Sequence, residues 1–527
     1  MPSSLPRLRH DLRQHLRRTP RQDRRRDLTH DLRHDFAASL VVFLVALPLC
    51  IGVAVASGVP AELGLITGIV GGLVTGLMRG SSLQVSGPAA GLTVLVFEAV
   101  RTLGLPGLGV AVLLAGLLQV AMGLLGWGRW FRAISLSVVE GMLAGIGLVI
   151  VAGQLYAAAG ATAPASGLAR LAGLPAALWR VLSGVATLAP LAVAAGTVLV
   201  IVGWRYAPRR VRAVPGALVG VLLAALATAL LGLPVATVRV DGVPAAVRLP
   251  GAEAFAALGD VALLGTVLAI ALIASAESLF GAAAVDRLHD GPRTDYDKEL
   301  LAQGLGNTVC GLLGALPMTA VVVRSAANVR AGARTRASRV LHGLWLLLFA
   351  VLLPGTLEYV PLAALAGILV HAGWKLIPFK GLVALWRGHR GEAFVLVVTA
   401  LAIVTVSMLE GVLIGLALSV GKAAWDASHL RVDRTDDGLG PARVTLSGNA
   451  NFLRLPKMLD VLEALPRDRP VELDLSGLHH LDHACRAALE GWAARHSTAG
   501  PEAVRLHALP EPRPARPGDG EQVGAAP

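Results

Sequence analysis

The chain has 527 residues, of which 54% are apolar and only 16% charged, with a mean hydropathy of +0.65. Soluble domains carry about 25% charged residues, so a soluble globular protein is excluded. The formal net charge of +12 is concentrated in Arg7 to Arg33 and in short segments between apolar runs, where membrane topology accounts for it, and no nucleic-acid partner is expected.

Residues 1–35 mix Arg with Asp and hold no apolar h-region, so they read as a disordered, basic cytoplasmic tail and not as a cleavable signal peptide. About fourteen apolar stretches follow between residues 36 and 428, judged against the roughly 20 residues a spanning helix needs. Glycine, Leu, Ala and Val dominate them, which favours closely packed helices over an outer-membrane barrel. The loops placed inside carry basic clusters such as Arg205 to Arg212 and Arg330 to Arg339. Those placed outside carry Arg101, Arg170, Arg180, Arg239 and Arg248 alone. This bias predicts an even number of spans across the inner (plasma) membrane, with both termini cytoplasmic.

Two stretches are interrupted: the third, at Val85-Ser86-Gly87-Pro88-Ala89-Ala90-Gly91, and the tenth, at Ala315-Leu316-Pro317-Met318-Thr319. They occupy matching positions in two sets of seven, residues 36–233 and 258–428, the pattern of an inverted-repeat transporter with its site near the bilayer midplane. Two half-helix N-termini placed head to head would offer unpaired N–H groups and positive dipole ends to an anion. The small side chains from Gly87 to Gly91 would let a ligand reach the backbone, and Pro88 suits a first helical turn. The alternative role for this segment is a helix-packing face.

Arg324 lies inside the apolar run Thr319 to Asn328, where a charge needs a partner or a substrate. It reads as an anion ligand or as a structural, snorkelling or ion-paired arginine. Glu277, deep in the eighth stretch, can carry a coupling proton or neutralise Arg324. Glu98, Glu140 and Glu410 fall near span ends and read as structural.

After Lys422, Arg443 to Leu446 and Val471 to Leu475 read as strands, and Leu455 to Leu465 and Ala484 to His496 as amphipathic helices. This predicts a small α/β module over 440–508, with a Pro/Gly-rich disordered tail at 509–527. His483 and Cys485 would start a helix that points them apart, so His479, His480, His483 and Cys485 predict no metal site. Cys50, Cys310 and Cys485 outline no disulfide framework, no cofactor is expected, and no nucleophile with its base, carboxylate dyad or phosphate loop suggests an enzyme.

Asp35 to Leu40 with Ala46 to Val53, Val85 to Thr93, and Asn328 to Thr335 resemble, in order and spacing, the sulfate permease (SulP) family. Val471 to Gly477 and Leu481 to Ala484 resemble a shortened sulfate transporter and anti-sigma antagonist (STAS) domain. The resemblance implies an all-α polytopic fold of about fourteen spans in seven-plus-seven inverted repeats, with core and gate domains, a cytoplasmic STAS-like module and a homodimer. It further implies an anion held between spans 3 and 10, at Gly87 to Gly91 and at Val321, Val322, Val323, Arg324 and Ser325. Sodium-coupled members carry an aspartate where Glu277 stands and threonines where Gly281 and Val322 stand, so proton symport or simple exchange is favoured over sodium coupling. Vertebrate members share an arginine with Arg324 but have glutamine, phenylalanine and serine where Leu49, Ala89 and Val323 stand, which implies sparser side-chain coordination. The expected function is secondary transport of sulfate or bicarbonate by alternating access. The alternatives are a dicarboxylate or nucleobase carrier on this fold, or a membrane scaffold or sensor that signals through the STAS-like module.

Overall fold

The computed structural model describes residues 20–507, apart from 134, 165, 185–186, 209–210, 241, 256–258, 437–439, 467–469 and 497–503. The described part of helix α1 covers Pro20–Ala56. Residues 20–35 are therefore helical, where the sequence suggested disorder. Both residues 1–19 and the expected tail at 509–527 lie outside the described residues.

α2 (Ala61–Val70) continues into a π-helical turn, Gly71–Thr75, and leads to a three-residue strand, β1 (Ser86–Pro88). A 3-10 turn, Ala90–Leu92, opens α3 (Thr93–Leu124), which is two helices merged across a kink at Gly104. That glycine has φ +70°, a conformation L side chains rarely adopt, and Pro106 removes a helical donor just beyond it, so the helix is broken there.

The remaining first-half helices are α4 (Leu136–Ala158), α5 (Gly167–Leu182), α6 (Ala189–Gly203) and α7 (Gly216–Leu231). The second half repeats the plan with α8 (Val261–Val285), α9 (Tyr296–Leu312), strand β2 (Met318–Ala320) and the short α10 (Val322–Arg330). It closes with α11 (Ala337–Leu352), α12 (Leu362–Leu376), α13 (Phe379–Gly388), α14 (Arg390–Thr405) and α15 (Met408–Ala427). Among the described residues each expected apolar stretch is a helix or a half of one, with α5, α13 and two four-residue helices, Val243–Ala246 and Ala252–Phe255, additional; seven helices are long and apolar enough to cross a membrane by themselves.

Two groups of helices pack within this part, joined where α12 also packs on α1. In the first, α3 lies on α9 and α8, and α11 on α1. The α3–α9 contact is backbone on backbone: a Cβ at Gly116 would stand 2.3 Å from the Thr308 nitrogen, and one at Gly311 would stand 2.2 Å from that of Leu113. Small residues permit such an approach, which lipid-embedded helices use in place of a hydrophobic driving force. In the second group α4 packs on α12 and α14, α12 on α6, and α6 on α7. Asp35 ties α1 to the turn before α11, accepting from the N–H groups of Arg334 at 2.7 Å and Thr335 at 3.1 Å, and from the Thr335 hydroxyl. A buried carboxylate needs such donors, which is why the Asp35 and Thr335 motifs occur together.

The C-terminal unit, described by itself, is a four-stranded sheet in the order β3-β4-β5-β6: β3 (Leu430–Thr435), β4 (Ala442–Ala450), β5 (Val471–Leu481) and β6 (Val504–His507). β3 pairs antiparallel with β4, and the other pairs are parallel, with α16 (Leu455–Glu463) and α17 (His483–His496) as the connecting helices. Val444, Leu446, Leu473, Leu475, Met458 and Trp492 form its core. The sheet starts at Leu430, ahead of the expected boundary at 440, because Leu430 to Thr435 pairs along β4.

Candidate functional site

The interrupted stretches meet as a two-stranded antiparallel ribbon in which Ser86 faces Ala320, Gly87 faces Thr319 and Pro88 faces Met318. A further bond, from the Val321 N–H to the Val85 carbonyl at 2.9 Å, extends the ladder. The helices that follow leave the ribbon at opposite ends, so the first turns of α3 and α10 flank it with unpaired N–H groups. Neither N-cap residue, Ala89 or Val321, makes a side-chain cap. Half-helices joined only at their tips would splay; the ribbon fixes their spacing.

A shell of buried amides and hydroxyls holds the ribbon. Asn307 accepts from the Met318 N–H at 2.7 Å and donates to the Met318 carbonyl at 3.1 Å, pairing the free edge of β2 as a neighbouring strand would. Its amide also donates to Gln119, which in turn donates to Ser275. The Ser278 hydroxyl accepts from the Ala320 N–H, the Ser325 hydroxyl accepts from the Val85 N–H, and Gln303 donates to Ser86 and Glu299. Gln84 donates to the Ser278 carbonyl, and Asn328 to the Leu83 carbonyl. Of these, only Ser325 was singled out from sequence. Their signal was polar residues inside apolar stretches, which cost free energy unless paired.

Arg324 is 1% exposed. Its guanidinium lies behind the ribbon: a Cβ at Gly87 would stand 2.1 Å from Nη1 and 3.2 Å from Cζ, and the Cys50 sulfur is beside it. His342, fully buried with both ring nitrogens unbonded, lies within electrostatic reach, and Arg324 Nε and Nη1 are themselves without hydrogen-bond partners. Among the described residues no ion pair joins Arg324 to Glu277. The carboxyl of Glu277 packs instead against Gly91, where a Cβ would stand 2.0 Å from Oε1. It approaches the Thr319 hydroxyl, and its Oε2 is buried without a partner.

The ribbon brings the two interrupted segments together, and the expected residues stand around it as follows. Gly87, Pro88, Ala89 and Gly91 are buried, and Ala90 is partly open. Leu49 is buried on α1, Val321 is partly open, and Val322 and Val323 are 41% and 40% exposed on the first turn of α10. Ser325 is buried and spends its hydroxyl on the ribbon. Arg324, in the first turn of α10, lays its guanidinium against Gly87, a position that carries no side chain. A cleft runs from Ala90 and Gly91 along α3 to Glu98, bounded by α4, by Ser166 and Arg170 of the α5 start, and by Ser407 between α14 and α15.

The sulfate permease family model matches residues 32–399. YvdB of Bacillus subtilis, a candidate sulfate transporter, is 29% identical over 347 residues, covering 64% of each chain, so that match spans just under two thirds of YvdB. The bicarbonate transporter BicA of Synechocystis is 28% identical over 456 residues, 78% of this chain and 77% of BicA. Among solved structures, the transmembrane domain of a cyanobacterial BicA superposes with a TM-score of 0.63 at 24% identity, covering 74% of this chain and 98% of that one. The murine Slc26a9 anion transporter in its inward-facing state superposes with a TM-score of 0.72 at 17% identity, covering 90% of this chain and 84% of that one; both likenesses concern the fold. Since the family model spans most of the sequence, from the end of the basic segment into α14, the chain belongs to the sulfate permease family, as a multi-pass membrane transporter of inorganic anions.

Proposed function

We propose that the chain carries sulfate or bicarbonate by alternating access, holding the anion between the first turns of α3 and α10 at Gly87 to Gly91 and Val321 to Ser325. The observation that carries this reading is a guanidinium, Arg324, buried in the first helix group without an ionic partner among the described residues and pressed against the side-chain-free Gly87. An unneutralised cation in low dielectric is costly, and an anion arriving at the helix tips supplies the missing charge across Gly87. Selection then rests on charge and size more than on one oxyanion geometry, because the side chains at the tips are small or apolar.

Glu277 is the proposed coupling group. Its carboxyl touches Gly91 at one helix tip and Thr319 in the ribbon, and it is not spent on neutralising Arg324. A carboxyl so placed can take up a proton with the anion and release it with the anion. Assembly as a homodimer with cytoplasmic termini, the C-terminal module serving regulation or assembly, completes the proposal.

The test is uptake of radiolabelled sulfate and bicarbonate into proteoliposomes under proton and sodium gradients. Uptake of one anion raised by an inward proton gradient is expected; accumulation driven by sodium alone would overturn the coupling assignment, and no flux of either anion would overturn the substrate assignment.

A further inference from the structure

The cleft beside the ribbon carries charge that the transport reading leaves unused. Its walls on α3, α4 and the α14–α15 turn are mainly apolar. Among the described residues that line it there is one cation, Arg170, and one acid, Glu98. Its floor is Ala90 and Gly91, the tip of α3 against which Glu277 packs. Glu98 lies eight residues along the same helix from Ala90, a climb of about 12 Å at the helical rise.

Arg170 is 6% exposed and firmly positioned. Its Nε donates to the Pro164 carbonyl at 2.6 Å, and its own carbonyl accepts from the Tyr156 hydroxyl at 3.1 Å. It faces Glu98 across the cleft, and Glu98 also feels Arg101 and the like charge of Glu410. Glu98 belongs to the helix group that holds the ribbon, whereas Arg170, on α5, packs against α4 in the other group.

We propose that this cleft is an entrance site for the transported anion, in which Arg170 supplies the cation and Glu98 competes with the anion for it. The proposal rests on the transport reading. An oxyanion entering an otherwise apolar cleft needs a compensating charge, and Arg170 is the one cation among the described residues that line it. Glu98, an exposed carboxylate within electrostatic reach of Arg170, Arg101 and Glu410, opposes the entering anion and lowers the field that Arg170 offers it.

The test uses the full chain in proteoliposomes, with initial uptake rates of sulfate and bicarbonate measured against concentration. Arg170→Gln is expected to raise KM about tenfold with kcat little changed, and Glu98→Gln to lower KM severalfold, both effects shrinking at high ionic strength. The exchanged pair Glu98→Arg with Arg170→Glu is expected to keep a high KM, because the cation has left the positioned arm. If the two charges merely fasten the helix groups together, both single variants will be impaired in the same direction and the exchange will restore activity, which overturns the proposal. Should Arg170→Gln fail to fold by size-exclusion chromatography, the sign of the Glu98→Gln effect decides alone. Absence of flux in the wild type would remove the transport reading itself, an outcome distinct from either pattern.

Discussion

Replacing Gly87 by alanine tests the arrangement of ribbon and guanidinium directly. The new methyl would stand 2.1 Å from Arg324 Nη1 and 3.2 Å from Cζ. An ordinary contact needs about 3.5 Å, so the guanidinium must retreat by roughly 1.4 Å in a packed site. Overpacking of this kind costs about 1–3 kcal/mol. With the anion about 5 Å from the guanidinium in an effective dielectric of about 20, the attraction is roughly 3 kcal/mol. The retreat removes roughly 0.7 kcal/mol of it, about threefold in KM. The assay is a double-mutant cycle with Arg324→Met, whose side chain ends where the arginine has Nε and so leaves Nη1 empty. Thermal unfolding of the purified protein and anion uptake are measured for all four combinations. In the Arg324→Met background the methyl should cost almost nothing in stability, while transport stays lost. Equal destabilisation by Gly87→Ala in both backgrounds, or uptake by Arg324→Met at the wild-type rate, would refute the reasoning.

Three further outcomes are expected. Glu277→Gln should abolish stimulation of uptake by a proton gradient while leaving anion exchange measurable; a variant still stimulated like the wild type would return Glu277 to a packing role against Gly91. Asn307→Leu should leave the buried N–H and carbonyl of Met318 unpaired, at about 1–3 kcal/mol for each group, and so lower both the melting temperature and the uptake rate, as read in the two assays above. In the loop before α9, Asp295 accepts from Lys298 Nζ at 2.6 Å and caps the helix by accepting the Lys298 N–H. The Lys298 hydrogen bond holds the Asp295 carboxyl below its ordinary value of 3.8. The depressed folded value means that the stabilisation is present above about pH 4 and disappears as pH falls through the lower, folded pKa. Asp295→Asn keeps the cap and loses the ion pair. It should therefore shift melting slightly at neutral pH, by less than ~1 kcal/mol for so exposed a pair, and not at all in strong acid.

Much of the membrane part was legible because lipid allows few solutions. Apolar length and two glycine- and proline-broken stretches outline most of the helical segments and the two breaks without knowledge of packing, though α5 and α13 were not among them. Arg324 and Glu277 stood out for the same reason, as charges in stretches that should hold none. The strands of the small α/β unit were found where alternation was clear, at Val444 and Leu473. β3 was missed because Leu430 to Thr435 carries Arg431, Asp433 and Arg434, and its place is set by pairing with β4.

Only the tertiary structure decided how the broken stretches meet. A strand of three residues has too little periodicity to be read, and the ribbon exists because residues more than two hundred positions apart satisfy each other's backbone groups. Nor could sequence tell that Asn307 would stand in for a missing strand, that Arg324 and Glu277 would face different glycines instead of each other, or that Glu98 and Arg170 would share a cleft. Composition dictates which residues must be buried and which must find partners; which partners they find depends on the long-range packing that brings α3, α8 and α9 together.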